Sequence, residues 1–276
     1  MFATVLQWAK HRQGDKSWRL IFWISSVIQL IPLYMLRWFE KVSSGETVAV
    51  TDIANTQQSV ETESVIQDSP TIGDSLRILK EESKRLAFWM HLVSRSSLMI
   101  IASFLLFVPS YMANAFGMTE SASARVGALY ALGSLLSVTF GAKAFSASSK
   151  QSKILSTIVL LGSLVVCSLL HLAHITGSLV LSPLAGAASM FIWGITFSIP
   201  FYIPPSMYAL KRGGKKSSAT IADAFDFVGF MLLAWFNGFV AARPQDILSS
   251  WIDPYRVLLG FSLTALATAI VAIVTE

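Results

Sequence analysis

Cysteine is almost missing from this chain: Cys167 is the single one, so no disulfide can form within it. It lies in an apolar segment, where a lone thiol acts as a small buried hydrophobe and says nothing about redox compartment. Charge is scarce as well. Asp, Glu, Lys and Arg make up 13% of the 276 residues, about half of the ~25% usual for soluble domains. Water is therefore not its only solvent. Catalytic signatures are also lacking, with no nucleophile elbow, phosphate-cradling glycine loop or zinc motif. His171 and His174 have an i, i+3 spacing that could hold a metal, but no third ligand lies nearby, so they read as the polar end of a span. The expectation is a protein that is not an enzyme and needs no cofactor.

What the chain has is apolar length. Hydrophobic residues form 54% of it, mean hydropathy is +0.60, and eight Trp and eighteen Phe suit the aromatic belts of a membrane protein. The net charge of +5 comes from cations in loops between apolar runs. That pattern fits positive loops beside a membrane rather than nucleic-acid binding. About 20 apolar residues span a bilayer as a helix. Seven segments qualify or nearly so: 18–39, 92–112, 125–146, 154–175, 179–208, 219–241 and 255–275. The predicted fold is an all-α, multi-pass integral membrane protein of about seven transmembrane helices.

Three parts follow along the chain. Residues 1–40 hold an N-terminal segment and the first span, which is too long for a signal peptide and contains Pro32 and Tyr34. Residues 41–86 form a polar loop, KVSSGETVAVTDIANTQQSVETESVIQDSP, followed by TIGDSLRILKEESKRLAFWM. The loop buries too little apolar surface to fold. In the lead-in, Ile72, Leu76, Leu79 and Leu86 recur at helical spacing, which predicts an amphipathic helix on the membrane surface. Residues 87–276 form a six-helix bundle.

Twelve Lys and Arg fall on one side of this topology, in the long loop, the 143–153 turn and the 211–216 turn, against seven on the other. The richer side is predicted cytoplasmic, with the N-terminus outside. Gly133, Ser137 and Gly141 recur every fourth residue, and Gly186 and Gly194 at eight. Small residues so spaced let helices approach closely in lipid.

A few polar residues are caught inside the spans. In KRGGKKSSATIADAFDFVGF, Asp223 and Asp226 follow a basic turn. With a start near Ser218, Asp223 lies about 7 Å and Asp226 about 12 Å along the helix. A carboxylate at a helix centre costs about 2.5–3.5 kcal/mol, so Asp226 should face protein or a cavity. Asp226, Gly229 and Asn237 share one face, because 11 residues advance about 1100°, some 20° past three turns. As N-terminal residues of a helix entering the membrane, both could instead complement its dipole and offset the cations of the 211–216 turn. Arg95 has two readings. A span starting at Ser96 makes it an interfacial residue that snorkels. A start at Phe88 puts it about 12 Å deep, level with Asp226 and able to pair with it. In the fifth span, GITFSIPFYIPPSMYAL, Pro200, Pro204 and Pro205 remove helix donors and are the helix-break candidates. Tyr202 lies among them. Interrupted helices survive at membrane depth only where protein or water satisfies the freed carbonyls.

With these residues in view, SWRLIFWISSVIQLIPLYML resembles the sixth helix of a major facilitator superfamily transporter. VPSYMANAFGMTESASARVGALYALGSLLSVTFGAKAF is similar to helices seven and eight, and GITFSIPFYIPPSMYALKRGGKKSSATIADAFDFVGF to helices ten and eleven, with an order reminiscent of the organophosphate antiporter branch. GAKAFSASSK keeps Gly141 and Lys143 but lacks the acid of the family's acidic-then-basic turn. The resemblance implies an MFS-like C-terminal bundle, with one helix of the first half and all six of the second. It implies a C-terminal half or fragment, completed by a second half-transporter or another copy.

The function expected is secondary active transport of a small molecule or ion by alternating access. Asp226, Asn237, Arg95, Asp223 and Tyr202 are the substrate-pathway candidates. Two other readings stand beside it. One is a non-transporting or degenerate membrane protein acting through a partner. The other is a seven-helix receptor, against which count the long first loop, the lack of outer cysteines and the lack of a lysine in the last span.

Overall fold

In the computed structural model the described residues are 72–244 and 246–276, and every element among them is helical. The first predicted span, 18–39, and the polar loop as far as residue 71 lie outside them.

A short helix α1 (Ile72–Glu82) precedes α2 (Leu86–Ser103), a 3-10 turn (Phe104–Leu106) and α3 (Val108–Phe116). Then come α4 (Glu120–Ala147) and α5 (Lys150–Ile175). One helical stretch, Pro183–Ala241, divides at Gly214 into α6 (Pro183–Gly214) and α7 (Ser217–Ala241). A 3-10 turn (Leu248–Trp251) leads into α8 (Ile252–Thr275). Six of these helices are long and apolar enough to cross a membrane: Leu86–Leu106, Glu120–Ala147, Lys150–Ile175, Pro183–Gly214, Ser217–Ala241 and Leu248–Thr275.

Side-chain chemistry explains the boundaries. Thr119, Ser149 and Ser182 stand at the starts of α4, α5 and α6 in extended conformation, each accepting a hydrogen bond from the backbone N–H three residues on. Pro109 lacks the N–H that would continue α2, so the second span ends at Leu106 rather than running on to 112. Between α6 and α7, Gly214 holds φ 58° and ψ −160°, a region open to glycine alone. A side chain on Gly213 would come within 2.5 Å of the Ser218 nitrogen, so the chain reverses on two glycines.

Pro200, Pro204 and Pro205 do not break the fifth span. The backbone stays helical through all three, and the only departure inside Pro183–Ala241 is at Gly214. Neighbouring groups must therefore serve the carbonyls that the prolines free.

The centre of the bundle is α2 and α6, in which 61% of the apolar window is buried against 22% for α4 and α7. Small residues bring α4 onto α6. A Cβ on Gly133 would meet the Phe191 carbonyl oxygen at 2.4 Å, and one on Gly194 would meet that of Tyr130 at 2.1 Å. Ser137 Oγ donates to the Ile195 carbonyl at 2.7 Å across the same seam. In lipid, where no hydrophobic force presses helices together, such close contact supplies the packing energy.

Aromatic residues fill the end away from the basic turns, with Phe104, Trp193, Trp251, Tyr111 and Tyr255 all buried. His171 belongs here too. It is wholly buried, 2.8 Å from the Tyr111 hydroxyl and 2.5 Å from that of Ser189, so it is a core residue rather than the polar end of a span. At the opposite end Phe88, Leu92, Tyr208, Ile221 and Phe225 form a second cluster, and α1 packs Ile78 and Leu79 against it. Leu76, assigned by periodicity to the apolar face of α1, is exposed.

Candidate substrate-pathway site

Arg95 stands nine residues into α2 and Asp226 nine residues into α7, each about 14 Å along its helix at 1.5 Å per residue. In membrane-length helices of 21 and 25 residues, both lie well inside the span. The helix starts at Leu86, ahead of both starts considered from sequence, so Arg95 lies within it rather than before it. Its Nε donates to Asp226 Oδ1 at 2.6 Å.

The guanidinium has a second acceptor. Arg95 Nη1 donates to the Phe201 carbonyl at 3.0 Å. Four residues after Phe201 comes Pro205, which has no N–H to offer it. One cation thus closes the gap that the proline leaves and neutralises the carboxylate. It also lies 4.7 Å from the Phe201 ring centroid, a cation–π contact. The two partners differ in access. The side chain of Arg95 is 12% exposed and that of Asp226 is 32% exposed, so the carboxylate is the open side of the pair.

One turn further on, Gly229 lies against Met99, whose sulfur would be 2.7 Å from a Cβ at that position. Asn237 is on the same face of α7, and its buried Oδ1 has no hydrogen-bond partner among the described residues. Tyr202 is exposed beside Phe201, their ring centroids 4.6 Å apart. Asp223 is elsewhere: it is exposed and lines a groove with Lys80, Trp89 and Thr220 beside α1. The structure brings Arg95, Asp226 and the Phe201 carbonyl together, leaves Tyr202 next to them, and separates Asp223.

A second polar cluster closes the basic end. Glu82, the last residue of α1, is buried. It accepts from Tyr208 Oη at 2.6 Å and from Arg212 Nη2 at 3.1 Å, with Arg85 Nε 3.4 Å away. Burial pushes its carboxyl up. The Arg212 and Tyr208 hydrogen bonds and the charges of Arg212 and Arg85 outweigh that and hold it below its ordinary value of 4.5. Nearby, buried His91 pairs through Nε2 with Glu276. Sequence reasoning missed this cluster, because Glu82 sits in a charged run of five residues, EESKR, where an exposed role is the default.

The profile of the family described as Major Facilitator Superfamily matches residues 14–236. The chain belongs to that family. No curated protein and no solved structure matches it. As a major facilitator protein it is an integral, multi-pass membrane protein of a transporter family that is not enzymatic, consistent with its six membrane-length helices. The bilayer is then the solvent around its spans, and the Arg95–Asp226 pair joins two of them.

Proposed function

We propose that this major facilitator chain is a secondary active transporter of a small molecule or ion, with Arg95 and Asp226 at the centre of its pathway. The observation that carries the reading is the pair itself. Ionisable residues at bilayer mid-depth are costly, and where they persist they face a bundle interior or water-filled route. Here the less exposed partner is anchored to a proline-freed carbonyl, while the acid keeps an open side. A solute or proton arriving at Asp226 competes with it for Arg95. Losing that bond loosens the joint between α2, α6 and α7, which are the helices that rocking has to move. Tyr202 and Asn237 extend the route to either side. The opposite wall comes from a second bundle, either more of the chain or another copy.

The test needs no known substrate. Single cysteines are placed at Tyr202, Asn237 and, as a control, exposed Val166 on α5, with buried Cys167 as the baseline. The proteins are reconstituted in vesicles and treated with a membrane-impermeant maleimide. Labelling at 202 and 237 but not at 166 is expected. Absence of labelling at both, or equal labelling at all three, refutes a watery route along this face.

A further inference from the structure

At the basic end a recess of about 200 Å³ opens where α2 begins and α6 and α8 end. Arg85, Lys211 and Arg212 line it, with Tyr208 and Glu276. None of the three cations is used up. Arg85 reaches Glu82 only through Nε, at 3.4 Å, and its side chain is 54% exposed. Arg212 spends Nε and Nη2 on the same carboxylate. Lys211 has no ion pair among the described residues. The acid in the recess, Glu276, is held by buried His91. Glu82 thus engages one nitrogen of Arg85 and one edge of Arg212, Glu276 is held by His91, and the remaining N–H groups of the two arginines and Lys211 line the recess.

The surroundings suit a phosphate rather than a carboxylate substrate on its way through. The recess sits at helix ends, level with the headgroup region, and exposed Leu86 borders it on the membrane side. The first turn of α2 has no side-chain cap, so its N–H groups add to the positive field. Basic pockets between spans at this level bind anionic headgroups, and an arginine fork matches the spacing of phosphate oxygens.

We propose that this recess binds the phosphate of an anionic phospholipid headgroup. Lys211 and the free edge of Arg212 take the phosphate oxygens, Arg85 closes over them, and the acyl chains lie along Leu86. The assignment is independent of Arg95 and Asp226 and does not rest on the transport reading.

Native mass spectrometry of the whole chain in neutral detergent tests it, with phosphatidylglycerol, phosphatidylcholine of the same acyl length, and inorganic phosphate as probes. The variant is Arg85→Gln with Lys211→Gln, which spares the Arg212 tie to Glu82. Expected is one retained phosphatidylglycerol per chain, bound at least tenfold more weakly by the variant, with phosphatidylcholine binding equal in both proteins. Equal phosphatidylglycerol retention by wild type and variant overturns the site. Displacement of the lipid by inorganic phosphate at equal concentration assigns the same chemistry to a free ion and overturns the lipid assignment.

Discussion

Replacing Arg95 with methionine removes two hydrogen bonds and leaves two groups stranded, the Asp226 carboxylate and the Phe201 carbonyl. An uncompensated carboxylate at this depth costs about 2.5–3.5 kcal/mol. The exposure of the Asp226 side chain, 32%, keeps the figure at the lower end of the 3–5 kcal/mol typical for breaking a buried pair. About 3 kcal/mol is therefore expected for Arg95→Met. Asp226→Asn is milder. An amide oxygen can still accept from Nε, and Arg95 keeps the Phe201 carbonyl and ring, so the loss is the difference between a charged and a neutral hydrogen bond, about 1 kcal/mol. The double variant leaves a neutral amide and one freed carbonyl and should lose only about 2 kcal/mol. The coupling is then about 2 kcal/mol, well beyond the ~0.5 kcal/mol scatter of independent sites. Unfolding in mixed micelles, followed by tryptophan fluorescence, measures all three. If the double variant loses the sum of the singles to within that scatter, the pair contributes no coupling and the reasoning fails.

The remaining predictions use the same assay or a simple variant of it. Pro205→Ala gives the Phe201 carbonyl an intrahelical donor, so in that background Arg95→Met should cost about 1–2 kcal/mol less than in the wild type; an unchanged cost refutes the bridging role. Gly133→Ala and Gly194→Ala each drive a methyl into a facing backbone oxygen and should destabilise by about 1–3 kcal/mol or more. Gly162→Ala, with nothing within 4 Å, should be neutral or stabilising by up to about 1 kcal/mol, and equal losses at all three sites refute the seam. The last concerns acid. Because the folded state holds Glu82 below its ordinary 4.5, its contribution is complete above that pH and lost as pH falls through the lower folded value. Hydrogen exchange in α1 should therefore rise only in strong acid, and Arg212→Gln should move the rise to higher pH. An acid profile that Arg212→Gln leaves in place refutes the attachment of α1 through Glu82.

Much of the architecture was readable beforehand because it depends on local properties. The six spans among the described residues overlap the segments that apolar length marked, though every one but Ser217–Ala241 starts or ends several residues away from the hydropathy limits. Hydropathy cannot register a first turn capped by Thr119 or Ser149, since those turns are polar while being fully helical. The Gly213-Gly214 turn was legible for the same local reason. The prolines misled: their effect on a helix depends on who serves the freed carbonyl, and Arg95 is 106 residues away in sequence from Phe201. His171 and Glu82 misled in the same direction. Each was read by the company it keeps along the chain, and each is buried by helices distant in that chain.

The chain by itself therefore determined that it crosses lipid repeatedly as helices and that its few charges inside the spans demand partners. Both follow from transfer free energies summed over neighbouring residues. Only the tertiary structure decided which partners those are. A pairing such as Arg95 with Asp226 requires two helices to agree in depth and rotation to within a fraction of a turn. Side-chain contacts between non-neighbouring helices set that agreement, and no window of sequence contains it.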